Sequence, residues 1–206
     1  MADPERPQLY LVTPPEFELS TFPDRLAGVM DAHDIGCVRL TLATQDEDRI
    51  SRAADALREI THSRDVALVI DTHVAMAAKL GLDGVHLTDG ARSVRKSRKA
   101  LGAEAIIGSY CGASKHDGIN AGEAGADYVA FGRAGGTSLG DGTQADPALF
   151  KWWSEMIEVP VVAEGALDIN VVQKLVQFVD FFAIGEEIWR TDDAVKALAV
   201  LAAALK

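Results

Sequence analysis

Short apolar runs and helical stripes alternate along the chain. The first run, Leu9-Tyr10-Leu11-Val12, is followed by Pro14-Pro15 and then by Phe22, Leu26, Val29 and Met30, spaced to share one face of a helix. Val38-Arg39-Leu40-Thr41-Leu42 predicts a second strand. Ile50, Ala53, Ala54, Leu57 and Ile60 then predict an amphipathic helix with Asp48, Arg52 and Glu59 outside. A third strand from Val66 to Ile70 leads into a short helix from Val74 to Leu80. Three later segments share a wording: Gly81-Leu82-Asp83-Gly84-Val85-His86-Leu87, Gly125-Ala126-Asp127-Tyr128-Val129-Ala130-Phe131 and Val179-Asp180-Phe181-Phe182-Ala183-Ile184. Each reads as a helix end, an Asp that caps local backbone donors, and a buried strand. Ala105-Ile106-Ile107-Gly108 and Val159-Pro160-Val161-Val162-Ala163 bring the strands to eight, located at Leu9, Val38, Val66, Gly84, Ala105, Tyr128, Pro160 and Phe181. A last helix carries Val195, Leu198, Leu201 and Leu205.

Eight strand–helix units in 206 residues predict the α/β class and a single (β/α)8 barrel spanning residues 1–206. The alternative, a doubly wound open sheet, lacks its phosphate fingerprint, because Pro14-Pro15 stands where a Gly-x-Gly-x-x-Gly would be needed. In a barrel, chemistry belongs to the residues just past each strand. Here these are Arg39 and Thr41; Asp71, Thr72 and His73; His86, Thr88 and Asp89; Ser109, Tyr110 and Cys111; Arg133; Glu164, Gly165 and Ala166; and Gly185, Glu186 and Glu187. The glycine-rich stretch from Gly132 through Thr137 to Thr143 is a candidate lid.

Composition narrows the partners. A 48% hydrophobic, 25% charged chain has material for one sizeable core. The net charge of -11 repels phosphate backbones and anionic lipid headgroups, so neither nucleic acid nor a membrane is an expected partner and a small molecule is. With no apolar run of roughly 18 residues and no signal-like start, the expected location is the cytoplasm. The 2 cysteines, Cys37 and Cys111, are read as reduced, buried thiols. His86, inside an apolar strand, reads as a hydrogen-bonded core residue. Trp152-Trp153 with Phe150 and Met156 reads first as packing and second as the contact of a homo-oligomer.

The order of these segments resembles the thiamine phosphate synthase family, with its relative the thiazole tautomerase, over nearly the whole chain. Leu9-Tyr10-Leu11-Val12-Thr13, Gly84-Val85-His86-Leu87, Ile106-Ile107-Gly108-Ser109, Ala124-Gly125-Ala126-Asp127-Tyr128-Val129 and Pro160-Val161-Val162-Ala163 carry the likeness. The resemblance implies a barrel that joins a pyrimidine methyl diphosphate to a thiazole phosphate, releasing pyrophosphate with help from Mg²⁺. It implies that Arg39 meets the diphosphate. The family's metal carboxylates fall on Thr72 and Ala91, so Asp71 and Asp89 are the substitutes from neighbouring positions. The family's Thr-x-Thr-Lys after strand six keeps one Thr, Thr137, and its Gly-Gly and Val-Ser phosphate cradles read Gly165-Ala166 and Gly185-Glu186.

The candidate site therefore has Arg39, Asp71 and Asp89 for chemistry and metal. Tyr10, Arg39, His73, Ser109, Arg133, Thr137, Glu164, Gly165 and Glu186 are expected against the ligand. Two readings stay open, with a third behind them, a different enzyme that uses Asp71, His73, Glu164 and Glu186 for proton transfer. In one, a divergent synthase, a transferase, works on thiamine precursors with impaired catalysis. In the other, a non-catalytic or regulatory barrel binds a neutral or cationic thiamine-related ligand, because Glu164, Glu186 and Glu187 repel phosphate and Glu164 or Glu186 pairs with Arg39 and Arg133. Without the family reaction, no cofactor is expected.

Overall fold

In the computed structural model, which describes residues 6–135 and 144–205, eight parallel strands close into a barrel in sequence order. The strands are β1 (Gln8–Val12), β2 (Ile35–Leu40), β3 (Ala67–Asp71), β4 (Gly84–Leu87), β5 (Ile106–Tyr110), β6 (Tyr128–Gly132), β7 (Val161–Glu164) and β8 (Phe181–Ile184). Between and after them run α1 (Phe22–Ala32), α2 (Glu47–His62), α3 (Val74–Leu80), α4 (Val94–Leu101), α5 (Lys115–Glu123), α6 (Pro147–Met156), α7 (Ile169–Leu175), α8 (Glu186–Trp189) and α9 (Ala194–Ala203). The predicted fold class is the observed one. The second strand starts at Ile35 and ends at Leu40, earlier than the Val38–Leu42 read from hydrophobicity. It stops because the Thr41 N–H is taken by the Thr13 hydroxyl at 3.0 Å, outside the ladder.

Alternation along each strand builds two cores. Outward side chains such as Leu11, Val38, Leu68, Val85, Ile107, Val129, Val161 and Phe182 pack beneath the helices. Inward ones, Tyr10, Cys37, Val69, Tyr128, Ala130, Val162 and Ala183, fill the barrel. Gly108 is required there, since a Cβ would lie 2.0 Å from the Tyr128 ring. Trp153 is buried against Phe131 and donates to the Val159 carbonyl at 2.7 Å, which is the packing role expected of it.

The capping aspartates work at longer range than their sequence suggests. Asp83, Asp127 and Asp180 each precede an even-numbered strand and accept the N–H of Leu68, Ile107 and Val161, at 2.7, 2.6 and 2.7 Å. The Asp N–H donates back to the same residue's carbonyl at 3.0, 2.8 and 2.9 Å. Three pairs of neighbouring strands, β3–β4, β5–β6 and β7–β8, are thus clamped at the end opposite the mouth. No helix among the described residues is long and apolar enough to cross a membrane.

Candidate functional site

The interior is polar in two storeys. In the lower one the Tyr10 and Tyr128 hydroxyls meet at 2.7 Å, and Tyr128 also meets His86 Nδ1 at 2.9 Å. All three residues are buried, Tyr10 and His86 at 1% exposure. Burial pushes both phenol pKa values well up and the imidazole well down, so the layer is neutral. Tyr10 is therefore a floor beneath the mouth and not a wall of it.

The upper storey is charged. Register puts Arg39, Asp71 and Glu164 on the same inward parity as Cys37, Val69 and Val162, two residues nearer the mouth. Arg39 stands 5.9 Å over the Tyr10 ring and pairs with Glu164 at 2.9 Å. Burial opposes its charge, but Glu164, Tyr10 and Asp71 hold its pKa above the ordinary value. Its Nε lies 3.5 Å from Asp71 Oδ1, an ion-pair distance, yet neither buried atom makes a hydrogen bond. Burial raises the Asp71 carboxyl pKa, and Arg39 works against that shift.

Above this layer opens a cavity of about 600 Å³ lined by Arg39, Arg133, Glu164, Gly165, Glu186 and Arg190 among others. Five of the residues expected from the sequence thus meet in one place. Asp71 lines a smaller adjoining space of about 220 Å³ with Thr72, His73 and Thr88. Asp89 lines two outer cavities and accepts from the Ser93 hydroxyl at 2.6 Å. His73 precedes α3, its Nδ1 2.5 Å from the Asp71 carbonyl. Thr137 lies outside the described residues.

Ser109 does not belong to the mouth. It pairs with outward Leu87, is fully buried, and has its hydroxyl 3.6 Å from the Cys111 sulfur. The alternation Gly108 in, Ser109 out, Tyr110 in gave the signal that it faces the helices. Two residues of the mouth were missed or misread from the sequence. Arg190 pairs with Glu186 at 2.6 Å, an i,i+4 spacing that is visible in the sequence. Glu187 bridges two loops, accepting the Gly185 N–H at 2.8 Å and the Leu167 N–H at 3.1 Å. No local pattern reveals that second contact.

Among the described residues no three His, Cys, Asp or Glu side chains gather as a metal cluster. Mg²⁺ needs only one or two carboxylates when substrate oxygens and water complete its shell. Asp71 Oδ1, buried and without a hydrogen bond, is such a donor, whereas Asp89 faces other cavities. The residues therefore fit a cation shared with a phosphorylated ligand and not a protein-only cage.

A family model described as thiamine monophosphate synthase matches residues 9–188. The thiamine-phosphate synthase of Rhodospirillum centenum is 41% identical over 184 residues, 88% of this chain and 89% of that one. The thiamine-phosphate synthase of Erythrobacter litoralis is 38% identical over 208 residues, 97% of each. A solved thiamine phosphate pyrophosphorylase from Pyrococcus furiosus shares the fold at TM-score 0.82 and 21% identity, with 96% of this chain and 95% of that chain covered.

Proposed function

The chain belongs to the thiamine monophosphate synthase family, and from that premise we propose that it joins a pyrimidine methyl diphosphate to a thiazole phosphate and releases pyrophosphate. What carries the reading is Arg39, a buried guanidinium with an Nε that lacks a hydrogen bond, beneath a cavity large enough for a small ligand. Arg39 binds the diphosphate, and Tyr10 and Glu164 hold the guanidinium in place. Arg133 supplies a second cation to the same cavity, and Gly165 and Glu186 form its far wall. Ligand hydroxyl and amino groups have Glu164 as acceptor. His73, which lines the cavity next to Asp71, is a further contact, and Thr137, outside the described residues, is carried over from the sequence as another. Asp71 would hold Mg²⁺ together with substrate oxygens and water, without Asp89, which faces other cavities. Positive charge from a cation held there would stabilise the departing diphosphate.

The test is turnover of both substrates with Mg²⁺ by the purified chain, read as thiamine phosphate and pyrophosphate. Arg39→Ala is expected to lower kcat/KM by about 10²-fold or more, on the scale of losing one positioned charge stabiliser. Arg39→Lys guards against a fold effect, because it keeps the partner of Glu164. No product from the parent chain, or equal rates in both variants, overturns the reading.

One observation favours a second reading. Glu187 already fills the backbone donors of Gly185 and Leu167, in the loops after β7 and β8 where barrels commonly seat a phosphate. A barrel closed this way would bind a neutral or cationic thiamine-related ligand without turnover. Calorimetric binding of the thiazole alcohol in preference to its phosphate, with no product formed, would support it.

A further inference from the structure

The chain carries 20 Lys and Arg against 31 Asp and Glu, yet Arg92, Arg95, Lys96, Arg98 and Lys99 fall within eight residues, with no acid between Asp89 and Glu104. This segment is α4 and its approach. Val94 and Ser97 are buried against the barrel, so the cations turn outward. Arg98 is committed, donating to Asp127 at 2.5 Å and to the Ala105 carbonyl at 2.5 Å. Arg92, Arg95, Lys96 and Lys99 are exposed and make no ion pair or side-chain hydrogen bond among the described residues, and the same holds for Lys79 on the neighbouring α3.

Three of these cations, Lys79, Arg92 and Lys96, line cavities that reach the rim of the mouth. Lys79 and Lys96 line a cavity of about 660 Å³ together with Thr72, His73 and Thr88 from the loops after β3 and β4. Arg92 lines another, of about 470 Å³, with Thr88 and Tyr110. Glu47 and Asp48, at the start of α2, form the opposite wall of the larger cavity, so the positive ground lies on the α3–α4 side. A phosphorylated ligand approaching a protein of net charge -11 meets repulsion over most directions. A stripe of unpaired cations leading to the rim lowers that potential locally and raises the anion's concentration beside the mouth.

We propose that Lys79, Arg92, Arg95, Lys96 and Lys99 form an electrostatic approach surface that captures small phosphorylated anions, diphosphates above all, at the entrance of the barrel. The proposal deepens the synthase reading and rests on it for the identity of the substrate. Inorganic pyrophosphate is the probe that separates the two. The variant Lys96→Glu/Lys99→Glu is compared with Lys151→Glu/Lys174→Glu, which makes the same change in net charge on α6 and α7. At about 20 mM ionic strength the α4 variant is expected to weaken pyrophosphate binding, and to raise KM for the diphosphate substrate more than it changes kcat, by about three- to tenfold. At about 0.5 M salt the difference should shrink below about twofold, because screening removes it. The control pair should stay close to the parent. Equal effects of the two variants, or an α4 effect that persists in high salt, overturn the proposal while leaving turnover intact. Salt-sensitive pyrophosphate binding without turnover removes the synthase reading and keeps the surface. A parent chain that binds no pyrophosphate at any salt overturns both.

Discussion

Arg39 holds its charge where little water reaches it, so its neighbours must do much of what water would do. Glu164 supplies the direct partner, Asp71 a second negative charge, and Tyr10 the face of a ring. Below it His86 is kept neutral, first by burial and then by repulsion from Arg39. The sign of the resulting pH dependence follows from the direction of that shift. In the unfolded chain His86 gains a proton as the pH falls through about 6.5, while in the fold it resists. Its contribution is therefore complete above pH 6.5 and is lost as the pH falls toward the depressed folded value. The midpoint of urea unfolding should drop between pH 7.5 and 5.5, and His86→Gln should flatten that drop. An unchanged slope in the variant would assign the effect to other groups. His86 was legible as a core residue because it sits in an apolar run. Its partner Tyr128 lies 42 positions away on another strand, and sequence spacing does not reveal such a partner.

The elements show what hydrophobic periodicity can and cannot deliver. The Gly-x-Asp wordings at Asp83 and Asp127 and the Val179-Asp180 pair located β4, β6 and β8 because an Asp before an apolar run marks a strand entry. The donors they satisfy belong to the preceding strand, so the motif is a clamp between strands and not a local cap. Asp180→Ala tests this. It strands the buried Val161 N–H, and should cost about 1–3 kcal/mol in unfolding free energy while leaving kcat within about twofold, since the clamp lies at the end of the barrel away from the mouth. Denaturant titration and steady-state rates on the same preparation check both halves. A loss of activity without a loss of stability would contradict it. Boundaries were less legible than existence. Ile35-Gly36 opens β2 ahead of the apolar run that betrayed it, and Thr41 leaves the ladder through a hydroxyl supplied by β1's neighbour Thr13.

Closure of the whole barrel gives the two thiols different fates, although both are buried. Cys37 faces the interior beside Tyr10, and burial pushes its pKa up to about 12. Cys111 follows β5, lines a cavity at the rim with Tyr110 and Ala113, and is pushed up to about 11. A thiolate reacts and a thiol does not, so at pH 8 native labelling requires an opening that restores the ordinary pKa. For Cys111 the loop after β5 can open alone. For Cys37 the strands themselves must part, because a closed sheet has no edge that frays. Alkylation at pH 8 should then proceed in two phases, with Cys111 first and only weakly sensitive to urea. The Cys37 phase should follow the urea dependence of global unfolding. The same burial sets an alkaline limit on the fold. The stability that depends on Cys37 is complete below pH 9, where both states hold the proton, and is lost as the pH rises from there toward about 12. If Cys37 labels as fast as Cys111 in the absence of denaturant, the barrel opens locally at β2, and the interior storey of Tyr10, Tyr128 and His86 is not the rigid floor on which Arg39 is held.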